Sequence, residues 1–156
     1  MKKVVNYQDD FIYDSNEKII VIVKSASELI SLMNDCPSEL IKVRLVISSI
    51  DEELLDLLCS LNVDFEIVLQ SNNIKESEVI LLSRYKSTTN NKVYIAYNID
   101  ADSPYERAIL IYYINRYGII SLLSTKDDNL YKEWTLEMLK YTEKKNVKRL
   151  NRTYIG

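Results

Sequence analysis

Five short apolar runs, each followed by an amphipathic stretch, constrain this chain more than any other feature. The runs are 18–24 (KIIVIVK), 42–48 (KVRLVIS), 64–70 (DFEIVLQ), 92–98 (KVYIAYN) and 118–124 (GIISLLS). They begin 22 to 28 residues apart, which leaves room for a crossover helix in every interval. The first and last are apolar almost throughout, as parallel strands covered on both faces must be.

The intervals carry helical spacing. Leu29, Ile30, Leu32, Met33 and Cys36 recur after the first run, and Leu54, Leu55, Leu57, Leu58 and Leu61 after the second. Ile74, Val79, Leu81, Leu82 and Tyr85 make a weaker pattern after the third. The stretch 104–116 is apolar nearly all round and reads as a strand over 108–114 by composition alone. Its flanks decide for a helix. Ser103-Pro104-Tyr105-Glu106 is a capping box with proline at the first helical position, and Gly118 stands where a left-handed residue closes a helix. Ser25…Glu28 and Ser49…Glu52 repeat the box after the first two runs, and Asp127 and Asp128 open a last helix carrying Leu130, Trp134, Met138 and Tyr141.

Strand and helix therefore alternate five times. The expected architecture is one α/β domain spanning 1–156, a three-layer α/β/α sandwich on a five-stranded, mostly parallel sheet with helices on both faces. Within it, 1–17 is a candidate N-terminal edge strand or hairpin, and 147–156 reads as a basic tail. The unit order resembles that of flavodoxin-like and Rossmann-like folds, response-regulator receivers among them. A receiver requires an acidic cluster after its first strand and an aspartate ending its third; Lys24-Ser25 and Gln70 stand there, so phosphotransfer is not implied.

Absences narrow the chemistry. The chain has no histidine, which removes Ser-His-Asp and Cys-His nucleophilic sites and every side chain that titrates near neutrality without perturbation. It has two glycines, neither of them in the first strand-to-helix turn, Val23-Lys24-Ser25-Ala26-Ser27-Glu28, where a dinucleotide fingerprint or P-loop needs them. Cys36 and Cys59 fall at apolar helical positions and read as buried thiols. Without histidine they cannot complete a structural zinc shell. A net charge of −3 disfavours wholesale nucleic-acid binding. No apolar run reaches the ~20 residues that span a bilayer, and the N-terminus lacks an export signal. A cytoplasmic protein with no membrane partner is expected.

In open parallel sheets ligands bind beyond the carboxyl ends of the strands. The ligand-binding candidates there are Ser25, Ser49, Gln70, Asn72, Asn98 and Lys126, although serine and asparagine also cap helices and shape turns. Asp100 and Asp102 are candidate magnesium ligands, magnesium being the one cofactor for which the sequence offers a place. Tyr105, Tyr112, Tyr113 and Tyr117 crowd one helix in a chain with 12 tyrosines, and tyrosine suits interfaces. From Lys140 onward six cations, including Lys144, Lys145, Lys148, Arg149 and Arg152, face Glu143 alone. They read as dipole-complementing residues on a last helical turn, or as a nucleic-acid contact.

The leading expectation is a non-catalytic interaction module engaging a protein partner, itself included, or a small polar ligand. The alternatives are a magnesium-dependent enzyme acting on a phosphorylated or nucleic-acid substrate, and nucleic-acid association through the basic tail.

Overall fold

Each of the five apolar runs becomes a strand, and each interval a helix. The computed structural model describes residues 3–7, 19–35, 41–61, 64–100 and 104–155. The strands are β1 (Lys3–Asn6), β2 (Ile19–Val23), β3 (Ile41–Ile47), β4 (Asp64–Gln70), β5 (Val93–Asn98), β6 (Ile120–Ser124) and β7 (Val147–Arg149). The helices are α1 (Ala26–Asp35), α2 (Glu52–Ser60), α3 (Glu76–Thr89), α4 (Pro104–Tyr117), α5 (Asp128–Met138) and α6 (Arg152–Ile155). No helix among the described residues is long and apolar enough to cross a membrane.

The alternation and the parallel sheet are as the sequence implies, but the sheet has seven strands, not five. One addition is β1, which lies at the edge beside β2 as the candidate N-terminal strand required; positions 8–17 lie outside the described residues. The other is β7. Positions 147–149, read as tail, pair with β6 through Ser121↔Val147, Leu122↔Lys148 and Leu123↔Arg149.

The strand order is a second correction. It runs β1 to β7 in chain order, without the reversal of flavodoxin-like or Rossmann-like sheets. When every right-handed crossover steps in the same direction, every crossover helix lands on the same side. The buried residues of α1, α2, α3, α4 and α5 accordingly join one large cluster with alternate strand residues such as Val21, Leu45, Ile67 and Ile95. The opposite sheet face holds a smaller cluster of Ile22, Val46, Val68, Tyr94, Ala96 and Leu122, against which Leu150, Tyr154 and Ile155 pack. The three layers are therefore unequal: five helices, the sheet, and α6.

The caps set where the helices begin and end. Ser25 Oγ accepts from the Glu28 N–H at 3.1 Å, while Glu28 reaches back to the Lys24 N–H at 2.9 Å. The Ser49…Glu52 box does not form; Asp51, one residue before α2, accepts from Leu54 N–H at 2.8 Å and caps it instead. Ser103 lies outside the described residues. Gly118 adopts φ +67° and its N–H donates to Ile114 O at 2.9 Å, the left-handed close that its position requires. Asn90 ends α3 in the same conformation at φ 59°. Cys59 is exposed rather than buried, because Leu55 and Leu58 take the inward face of α2; Cys36 lies outside the described residues.

Candidate functional site

The polar residues beyond β4, β5 and β6 are joined in one hydrogen-bonded chain. Asn72 Oδ1 accepts from the Asn98 N–H at 3.1 Å and its Nδ2 donates to the Asn98 carbonyl at 3.5 Å. Asn98 Oδ1 accepts from the Asp100 N–H at 2.9 Å. The Asp100 carboxylate accepts from the Thr125 hydroxyl, whose oxygen accepts from the Asp127 N–H at 3.0 Å. Asp127 Oδ1 then caps α5 through Asn129 and Leu130. Three of the sequence candidates, Asn72, Asn98 and Asp100, are thus brought together, and their polar atoms tie one strand-end loop to the next.

The remaining strand-end candidates are dispersed. Ser25 caps α1. Ser49 is exposed and borders a hollow of about 510 Å³ with Ala26, Asp51, Glu53, Leu54 and Leu57. Gln70 and Lys126 are exposed at the ends of β4 and β6. Because the strand order never reverses, no two crossovers diverge to open the crevice on which the strand-end rule depends. Asp102 lies outside the described residues, and among the described residues no group of three or more acidic, cysteine or histidine side chains could hold a metal. One strand-end carboxylate escaped the sequence reading: Glu78 is 8% exposed and accepts from the Ile50 N–H at 3.0 Å. An acidic residue in a helix's first turn gives no sign of that distant donor.

Helix α4 divides its tyrosines between core and surface. Tyr113 is 7% exposed and belongs to the large cluster, whereas Tyr105 is 72% and Tyr112 48% exposed. The rings of Tyr112, Tyr113 and Tyr117 touch in a triangle, with centroids 5.8, 6.3 and 6.3 Å apart. Burial first, then the Glu76 carboxylate, push the Tyr113 and Tyr117 hydroxyls above the ordinary phenol range. Both stay protonated and can donate.

The basic residues scatter by fold. Lys144 and Lys145 sit on a 3-10 turn, Lys148 on β7 and Arg152 on α6. Lys145 pairs with Glu143 at 3.3 Å and, with Lys86 and Lys140, borders a cleft of about 570 Å³ below α4. Arg149 is built into the strand ends: it pairs with Asp128 at 2.7 Å, donates to Thr125 O at 3.1 Å and lies over the Tyr131 ring.

The opposite sheet face carries a charged cluster that the sequence reading missed. Arg44 on β3 faces Glu66 on β4, paired by register, with Nε and Nη2 at 3.2 and 2.8 Å from Oε1. The two residues are 7% and 3% exposed. Lys42 Nζ lies 3.7 Å and the Tyr94 hydroxyl 3.4 Å from Glu66 Oε2. Burial, seconded by the Glu66 charge, pushes the Tyr94 phenol far above its usual value. The remaining Arg44 nitrogen, Nη1, donates to the Thr153 carbonyl, and the guanidinium lies 5.3 Å from the Tyr154 ring centroid. The available signal was the period-two placing of Lys42, Arg44 and Glu66 in otherwise apolar runs, opposite their buried neighbours.

The chain matches no protein-family model, and no curated protein or solved structure is significantly similar to it.

Proposed function

We propose that the protein is a non-catalytic interaction module that engages a protein partner through the tyrosine face of α4, with a second copy of the chain as the first partner to test. The exposure of Tyr112 carries this reading. The residue is 48% exposed, yet its ring rests against Tyr113 and Tyr117. A ring ordered before it meets a partner loses little freedom on binding, and tyrosine offers both apolar area and a polar tip. Tyr105 extends the face toward the start of the helix. The non-catalytic half of the reading draws on the lack of histidine in the chain, which leaves no side chain that titrates near neutrality without perturbation.

Sedimentation velocity across a wide concentration range tests it. The native protein is expected to self-associate, and the double variant Tyr105→Ala/Tyr112→Ala to weaken association by at least about tenfold, the loss typical of interface hot spots. A native protein that stays monomeric, or an equally associated variant, defeats self-association through this face.

A further inference from the structure

We propose that the sheet face opposite the crossover helices is a peptide-docking surface, filled here in cis by the segment Leu150–Ile155, and that it accepts the same segment from a second copy of the chain. The inference is independent of the α4 reading, because it concerns the other side of the sheet.

Arg44 and Glu66 pair within the sheet face that carries Ile22, Val46, Val68, Ala96 and Leu122. A buried ion pair is a poor way to stabilise such a face, since apolar residues of similar volume do as well or better. What the pair supplies is an address. Nε and Nη2 of Arg44 are spent on Glu66, which fixes the plane of the guanidinium and aims Nη1 outward at the Thr153 carbonyl. Tyr154 lies against that guanidinium and meets the Tyr94 ring edge-on at 5.5 Å. One carbonyl oxygen and one aromatic ring, in adjacent residues, are what this surface reads.

The occupant is lightly held. Asn151, Arg152 and Thr153 are exposed, and Leu150, Tyr154 and Ile155 only half-buried. Apart from the Arg44 contact, the backbone is anchored by Leu150 N–H to Leu123 O at 2.9 Å, and Asn151 caps its own turn at Thr153 N–H. A four-residue helix has no stability of its own. Such a segment opens at a lower free energy than the sheet it covers, and its release leaves β7 paired. The vacated surface then presents Arg44 Nη1 and the Tyr94 ring to any segment with the same sequence. The second copy is the partner whose fit is already demonstrated by the residues seated there.

The test uses full-length chains and a labelled peptide, LNRTYIG, that reproduces 150–156. Fluorescence anisotropy should show the peptide binding the Tyr154→Ala chain, whose own segment is loosened, at least tenfold more tightly than the native chain, where the segment competes in cis. Adding Arg44→Met to that chain, or replacing the peptide's tyrosine by alanine, should reduce binding at least tenfold. Arg44→Lys, which keeps the charge beside Glu66 but loses the planar fork, serves if Arg44→Met does not fold. Hydrogen exchange on the Tyr154→Ala chain should show faster exchange confined to the region after β7. Absence of peptide binding to an opened chain overturns the proposal, and so does binding that ignores Arg44 and the peptide's tyrosine.

Discussion

Lys86 Nζ lies 2.7 Å from the Gly118 carbonyl oxygen and so joins the last turn of α3 to the residue that closes α4. The same amine occupies the space a Cβ at position 118 would enter. Both constraints meet at Gly118, whose φ is +67°.

Gly118→Ala should therefore cost about 1–2 kcal/mol, the usual penalty for an L-residue in the left-handed region. The lysine, being flexible, can move aside, so sterics add little. Gly118→Asn should cost less, since asparagine tolerates this conformation and already does so at Asn90. Urea denaturation midpoints of the two variants decide the matter; equal midpoints for alanine and native chains would contradict it.

The ion pair on the opposite face predicts a non-additive result. Arg44→Met leaves Glu66 buried without its main partner and should cost about 3–5 kcal/mol, whereas Arg44→Met/Glu66→Leu should recover most of the loss. A double-mutant cycle by chemical denaturation measures the coupling. Additive single effects would show that Lys42 and Tyr94 suffice to hold Glu66.

The cap of α2 separates two neighbouring residues. Asp51→Ala should lower stability by about 1 kcal/mol, while Ser49→Ala should change it by only a few tenths. The opposite ranking would restore the serine box that the geometry replaces.

High pH should destabilise the fold. In the folded state burial holds the phenols of Tyr94 and Tyr113 above their ordinary value of 10.0, with Glu66 and Glu76 adding to the effect. Below that value both states are protonated and the stability is fully present. Above it the unfolded chain releases protons that the folded chain retains, so stability falls as pH rises. Denaturation midpoints should decline from about pH 10 upward, and Tyr94→Phe should flatten that decline. A flat profile in the native protein would show these phenols to be accessible.

The parts of the fold legible in the sequence were those written by local chemistry. The run 64–70 is β4 to the residue, because its ends and its apolar pattern coincide. Gly118 was legible because few residues other than glycine close a helix in that conformation. β7 was not, since Val147 is the only apolar residue among its three and its cations match the basic stretch around it. Its pairing comes from the Ser121, Leu122 and Leu123 backbone, which no local pattern reveals. The Arg44–Glu66 pair stayed hidden for a related reason: two charges in separate runs meet only when strand order and register are known. Asn72, Asn98 and Asp100 lie at the strand ends, where their positions after apolar runs put them, yet their bonding to one another and to Thr125 depends on loop geometry.

The straight strand order also sets how order spreads through the molecule. Each ladder joins strands that follow one another in the chain, so each βα unit leans on its nearest neighbours, as in a solenoid. Contacts of this kind span a single crossover, so assembly can proceed stepwise from any central unit outward. β1 and β7, each with a single neighbour, are where fraying would begin and where further strands could be added. The protein is in this sense a short linear polymer of βα units.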